Sequence, residues 1–284
     1  MTASLAPATV DLQVHSTASD GSAAPAAVAS VAAAAGLAAF ALTDHDSVSG
    51  LEAATVAAAA FGIRVVPGVE LSTMHGEREV HLLGLHIASL AALDARLADF
   101  RVTRAERAVA IVGKLRALGI NVSFDDVQRE AGNGALGRPH IARAIIASGA
   151  CKDFREVFDR FLGTGRPANV PKHVLSVRDA VDLIHATGGL AIWAHPGRDG
   201  RLELLESLVA DGLDGAEVLH PGHSPEDVKR LGALCDHLRL LPSGGSDWHG
   251  ETTGTRVLGG MHVPAEWLAR QDERVAVRRA AGAS

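Results

Sequence analysis

The stretch Asp11–Asp20, DLQVHSTASD, gathers an imidazole, carboxylates and an amide carbonyl in one short span. Thr9–Val14 reads as a short strand that leaves into a Ser/Thr/Asp turn closed by Gly21. Side chains two apart on a strand share a face, so Gln13 and His15 face one side at its C-terminal end, and Asp20 returns there after the turn. Donors of these types in one place suit a divalent cation. The same signature recurs where later apolar runs stop: Asp44 and His45 after Leu37–Thr43, Glu70 after Ile63–Val69, His195 after Leu190–Ala194, His223 after Gly215–Leu219, and Asp247 and His249 after Leu238–Leu241. His81 lies inside the run Glu79–Ile87 and can also point inward. Each residue alone has an ordinary explanation as a turn, cap or core group, but accident does not account for all of them meeting strand ends.

The elements that must position these residues alternate strand and helix. Helical segments Ala24–Ala35 and Ser49–Phe61 separate the first strands, and Ser176–Gly188, Leu202–Asp211 and Pro225–His237 separate the last ones. This rhythm implies a mostly parallel sheet or barrel with covering helices. In a barrel the C-terminal strand ends converge on one face, which makes residues distant in sequence neighbours. Between about 90 and 170 the pattern is helical throughout: Leu93–Gly119, Phe124–Ala131, His140–Ser148 and Phe154–Leu162. The expected organisation is therefore a first barrel part at 1–89, an all-helical insertion at 90–171, and a second barrel part at 172–284. Val257–Val263 reads as a last short strand, and the basic, Ala-rich tail after Trp267 as helix.

Composition narrows the function. With 284 residues, 47% hydrophobic and 21% charged, the chain has material for a substantial core. A net charge of −6 argues against holding long nucleic acid by charge alone, while leaving room for a local basic pocket. Tyr is absent and only 7 Phe and 3 Trp occur, which argues against an extended base-stacking surface. Cys151 and Cys235 form no CxxC, which fits a reducing compartment, so any metal site draws on carboxylates and the 14 His. Met1–Pro7 lacks the marks of a signal peptide, and the Ala-rich runs are too short to span a membrane. The expectation is a cytoplasmic protein with no membrane partner.

In order, DLQVHSTASDG, LTDHD, PGVE, the strand with His81, AHPGR and GSDWH resemble the motifs of the PHP (polymerase and histidinol phosphatase) family of metal-dependent phosphoesterases, over Val10–His86 and Gly189–His262. The helical segment between them resembles a subgroup of 3′,5′-nucleoside bisphosphate phosphatases and a related 5′-3′ exonuclease on short RNA. The resemblance implies an α/β fold, a distorted (β/α)7 TIM-like barrel, holding two or three divalent ions. By position, the first would take His15, Glu70 and Asp247, the second Glu70, His81 and His195, and the third Asp20, His45 and His249. Zn, Mn or Fe suits this mixture. The family opens the site with His-x-His, and Gln13 stands in place of the first His, so the first ion is expected to be held more weakly or to be a harder ion such as Mn.

The implied chemistry is attack of a metal-held hydroxide on a phosphomonoester of a small nucleotide, centred on Glu70 and Asp247. Arg138-Pro139-His140 opens a helix and matches the Arg-x-His segment of the subgroup, a ready phosphate site. With Lys172 and Arg198 it is expected to grip the non-reacting phosphate. His223 is expected to be an acid for the leaving oxygen or a substrate contact. The subgroup places an aromatic residue where Asn169 stands here, and Trp248 is expected to pack behind the site. His75, His86, His173, His185, His220, His237 and His262 read as structural or surface. Rival readings are trimming of short oligoribonucleotides, a metal-dependent amidohydrolase, disfavoured in its Lys-bridged version because no barrel strand carries Lys, and a degenerate metal-binding module, motivated by Gln13.

Overall fold

Short apolar strands wound through helical connections bring the chain round into a barrel. The computed structural model describes residues 8–132, 134–171 and 174–282. β1 (Thr9–Val14), β2 (Ala39–Leu42) and β3 (Arg64–His75) are parallel neighbours joined by α1 (Pro25–Ala34) and α2 (Leu51–Ala59). β3 then turns back at Gly76 into β4 (Arg78–Leu85), an antiparallel hairpin paired from Gly68–Leu85 to His75–Arg78. Gly76 has φ +59°, which a glycine adopts without strain. After a helical stretch come β5 (Leu175–Ser176), α7 (Val177–Ala186), β6 (Leu190–Trp193), α8 (Leu202–Ala210), β7 (Gly215–Leu219), α9 (Pro225–Leu238), β8 (Leu241–Gly244), β9 (Val263–Pro264) and α10 (Ala265–Gly282). The strand order is β8-β7-β6-β4-β3-β2-β1-β9, with β5 on β3.

The ring almost closes. The segment after β8 lies along β1, where Asp247 N–H donates to Gln13 O at 3.0 Å and His15 N–H to Trp248 O at 2.9 Å. The buried Asp11 carboxylate laces the two together, accepting Ser246 N–H at 2.9 Å and Gly259 N–H at 2.8 Å. Alternation sorts the strands into an inner cluster, with Leu12, Ala41 and Ile192, and an outer one under the helices, with Phe40, Leu42 and Trp193. In β1 the alternation breaks. Leu12 belongs inside and Val14 outside, and the register against β2 slips between Asp11 and Val14. Such a bulge re-aims the side chain between them, here Gln13.

The intervening helices are α3 (Leu90–Ala117), α4 (Phe124–Ala131), α5 (Arg138–Ala147) and α6 (Phe154–Val157), which runs into a π-helical turn at Phe158–Leu162. They enclose a hydrophobic cluster of their own, with Ile111, Leu115, Ile141, Ile145 and Leu162. Polar contacts tie them to the barrel: Arg104 to the Asp46 carboxylate, His140 Nε2 to Ser19 O at 3.0 Å, and Arg143 to Asp20 O at 2.6 Å.

Several expectations need correction. The sheet is not mostly parallel around β4, which runs antiparallel to both β3 and β6, so His81 sits within a hairpin strand. The third strand does not stop at Glu70 but continues to His75, because neighbouring imidazoles make a buried carboxylate tolerable there. The strand expected from Leu238 begins at Leu241, since Leu238 still belongs to α9. Of the strand expected over Val257–Val263, only Val263 pairs, with Val10.

Candidate metal centre

Glu70, fully buried at the middle of β3, is the hub. Its Oε1 lies 2.7 Å from His81 Nδ1 and 3.3 Å from His195 Nε2. Its Oε2 lies 3.1 Å from His15 Nε2 and accepts Gln13 Nε2–H at 2.9 Å. His15 Nε2 is also 3.3 Å from Asp247 Oδ1. Asp20 stands beyond, 3.3 Å from His249 Nε2 and 4.0 Å from His45 Nε2. The loop that returns Asp20 is shaped by Asp44, whose carboxylate accepts Ser16 N–H, Ser16 Oγ–H and Ser19 Oγ–H, each at 2.7 Å. Gly21 is required there because a Cβ would lie 2.8 Å from His15 carbonyl atoms.

The donor atoms fall into three groups: His15, Asp20, His45 and His249; Glu70, His81 and His195; His15, Glu70 and Asp247. Within each group they lie within 4.8 Å of one another, close to the span of donors placed about 2.0–2.2 Å from one ion. His15 Nδ1, His45 Nδ1 and Gln13 Oε1 are buried without hydrogen-bond partners. Buried polar atoms are rarely left so, and here their lone pairs converge on carboxylates. The residues present therefore fit divalent cations. His249 shows the supporting contact such a ligand needs, with Nδ1 held by Asp247 O at 2.9 Å so that Nε2 faces Asp20.

Charge is strongly coupled here. Burial favours the neutral form of Glu70, but the surrounding imidazoles of His45, His15, His195 and His81 hold it well below the ordinary range. Burial likewise opposes, and hydrogen bonds from His15 and His220 outweigh, so that Asp247 is also held well down. Burial works against the His15 cation too, yet Asp247 and Glu70 push His15 well above its ordinary value. Burial drives His45 down to about 4. A cation would compete with the His15 proton for the same lone pair.

Two of these residues have left-handed backbone, His195 at φ +36° and Asp247 at φ +50°. Such strain, of order 1–3 kcal/mol each, persists where surroundings enforce it. Asp247 N–H is held by Gln13 O, and His195 N–H donates to the fully buried Glu217 Oε2 at 2.7 Å.

The phosphate-contact expectations fare differently. Arg138 lines a cavity of about 180 Å³ beside Asp20, His45 and His81, its guanidinium 5.7 Å from the Phe158 ring centroid. His140 does not face it. The ring is buried, Nδ1 accepts Gly137 N–H at 3.0 Å and Nε2–H donates to Ser19 O, so it acts as a strut. Arg198 is exposed on the turn Gly197–Asp199 and lines no cavity beside the centre. Lys172 lies outside the described residues. His223 is committed at both nitrogens, Nδ1–H to Val218 O at 3.0 Å and Nε2 from Gly197 N–H at 3.1 Å, so its ring serves the turn rather than a leaving group. Trp248 is buried with its Nε1–H on Glu251 O, behind the site.

His220, read as structural, stands in the site instead. Gly222 N–H bonds its Nδ1 at 3.0 Å, which leaves the proton on Nε2, 3.6 Å from Asp247 Oδ2. Arg104 and Arg107, from α3, line the arginine cavity with Arg138, and Arg256 contacts Asp247 Oδ2. Burial, with Arg138 and Arg104 adding and Glu79 opposing, brings Arg107 down to about 10.

The PHP domain family matches residues 11–108. A 3′,5′-nucleoside bisphosphate phosphatase from Chromobacterium violaceum is 41% identical over 89% of this chain and 91% of its own length. The chain belongs to the PHP family. Another relative, the 5′-3′ exoribonuclease Rnm of Escherichia coli, is 34% identical over 84% of each chain. Among solved structures, a metal-dependent phosphoesterase from Bifidobacterium adolescentis superposes with TM-score 0.84 at 30% identity, covering 94% of this chain and 96% of that one. A Chromobacterium violaceum amidohydrolase solved with sulfate gives 0.80 at 38% identity, covering 93% and 97%. Among the described residues no helix is long and apolar enough to cross a membrane.

Proposed function

We propose that this PHP protein is a metal-dependent phosphoric monoester hydrolase acting on a small nucleotide of the 3′,5′-nucleoside bisphosphate type. The observation that carries the reading is three groups of histidine and carboxylate donors, each gathered within 4.8 Å, beside a cavity lined by three arginines. The names of the relatives that are 41% and 34% identical support it. His15, Glu70 and Asp247 hold one ion, Glu70, His81 and His195 a second, and Asp20, His45 and His249 a third. Zn, Mn or Fe fits these donors. Gln13 gives Glu70 a hydrogen bond rather than offering a second imidazole, which favours Mn at the first position. When bound, such ions supply Lewis acidity and activate water.

The chain's own residues do the rest. Arg138, Arg107 and Arg104 hold the non-reacting phosphate, the role expected of Arg198. Phe158 and the Arg138 guanidinium give flat faces to the nucleoside. His220 Nε2–H steadies Asp247, and Glu217 holds the His195 peptide. In this reading residues 1–89 and 172–284 form the catalytic barrel, and 90–171 an insertion that supplies the anion cavity. The free, buried Cys151 and Cys235 fit a cytoplasmic setting.

The test is phosphate release from adenosine 3′,5′-bisphosphate, with elemental analysis of the same preparation. Activity that tracks bound metal and disappears with a chelator is expected. Full activity in metal-free protein, or metal-loaded protein inert towards every nucleotide phosphate, refutes the reading.

A further inference from the structure

One wall of the barrel is unlike the others. α1 follows the loop that carries Asp20, and α2 follows the loop that carries His45. The two helices pack side by side and send Val28, Ala32, Ala54 and Ala58 into the outer hydrophobic cluster. The faces they turn to solvent are apolar as well. Residues 24–36 and 51–62 include 16 exposed positions, and the single charge among them is Glu52, in the first turn of α2. Val56 is 71% exposed and Phe61 51%, set among exposed alanines such as Ala27, Ala34 and Ala53. The other barrel helices expose charges instead: Arg178 and Asp182 on α7, Glu203 and Glu206 on α8, Lys229 and Asp236 on α9. A surface helix normally carries polar groups on its outer face, and one that is apolar all round is normally covered. A contiguous apolar patch with charge only at its edge marks a contact surface.

We propose that this face binds the same face of a second copy of the chain, as a two-fold dimer. Charge, size and position choose that occupant. Two copies that each carry −6 repel one another through their charged helices, whereas this face meets its own image almost without like charges. A nucleic acid or a charged peptide would find no cation here to pair with. A standard interface uses about 20–30 residues a side, and 16 exposed residues fall just short of that, the size of a weak, concentration-dependent dimer. Alanine-rich faces let helices approach to about 8 Å, so Val56 and Phe61 are the bulky side chains that enter the partner's alanine surface. The two-fold axis makes each of these contacts twice. None of these residues lines the arginine cavity, so pairing leaves the site of each copy open. It also clamps, from outside, the two helices that follow the Asp20 and His45 loops.

The test is sedimentation equilibrium of the full chain from low micromolar to near-millimolar concentration, for wild type, Val56→Glu, Phe61→Ser and Val277→Glu. Wild type is expected to pass from one chain to two as concentration rises. Val56→Glu and Phe61→Ser should each weaken association about tenfold or more, the loss of an anchoring side chain. Val277, 69% exposed on α10, lies outside the face, so Val277→Glu should associate as wild type does. Val56 is mostly in solvent, so its replacement spares the fold, which circular dichroism of the same samples checks. Wild type that stays a single chain throughout overturns the proposal. A dimer that survives Val56→Glu overturns it too, as does one lost equally in Val277→Glu. Each of these results leaves the phosphatase reading standing, because hydrolysis is measured separately.

Discussion

Replacing Glu217 with leucine removes a carboxylate oxygen 2.7 Å from His195 N–H while roughly keeping the volume of a fully buried side chain. The peptide N–H then has no acceptor, which costs about 1–3 kcal/mol. His195 also loses the contact that holds it at φ +36°. If the peptide relaxes, the imidazole moves off Glu70, now 3.3 Å away. Loss of a supporting contact of this kind lowers metal affinity by about 10–100-fold. Burial, with the charges of Asp247, Glu70 and Asp11 nearby, holds the Glu217 carboxyl well above its ordinary range, and glutamine keeps an acceptor oxygen there without a charge. The assays are denaturant unfolding and Mn²⁺ titration calorimetry. Glu217→Leu should lose about 1–3 kcal/mol of stability and bind Mn²⁺ about 10–100-fold more weakly, with Glu217→Gln close to wild type in both. A folded Glu217→Leu protein with wild-type stability and affinity would falsify the claim that this contact holds His195.

Three other outcomes follow from the site. Because Asp247 and Glu70 raise His15 above 6.5 despite burial, its contribution in metal-free protein is complete below that value and fades as pH climbs through the folded one. Chelator-treated protein should therefore melt at lower temperature as pH rises above about 7, and Mn²⁺ should reverse the trend because binding needs the unprotonated ring; a metal-free melting temperature that climbs over this range contradicts it. Gln13→His exchanges a donor to Glu70 for a ring lone pair and should tighten Zn²⁺ binding on the order of tenfold by competition titration, an unchanged constant showing that residue 13 does not reach the ion. Arg107→Ala should raise KM for the bisphosphate about tenfold or more while metal content stays constant, and an unchanged KM removes it from the anion site.

The order of strands and helices was legible because each parallel strand is a short apolar run ended by polar residues, and the cluster was legible because those endings share donor types. The hairpin was not. Glu70 interrupts an apolar run and so looks like its end, although only the imidazoles around it, from other parts of the chain, allow a carboxylate inside a strand. The exchange of His220 for His223 was equally hidden, since both flank the same Pro-Gly turn and only the backbone partners of each ring decide which faces Asp247. Arg104 and Arg107, three apart on a long charged helix, look like solvated surface until α5 closes over them and Phe158 joins the cavity wall.

The Asp11 lacing has a consequence for how the protein comes into being. One carboxylate near the beginning of the chain waits for two amides, at Ser246 and Gly259, that are synthesised more than two hundred residues later. Until those arrive, β1 has nothing along its open edge and Asp247 is not beside His15. A nascent chain halted before that point carries most of the histidines but lacks Asp247 and His249, so two of the three donor groups are still incomplete.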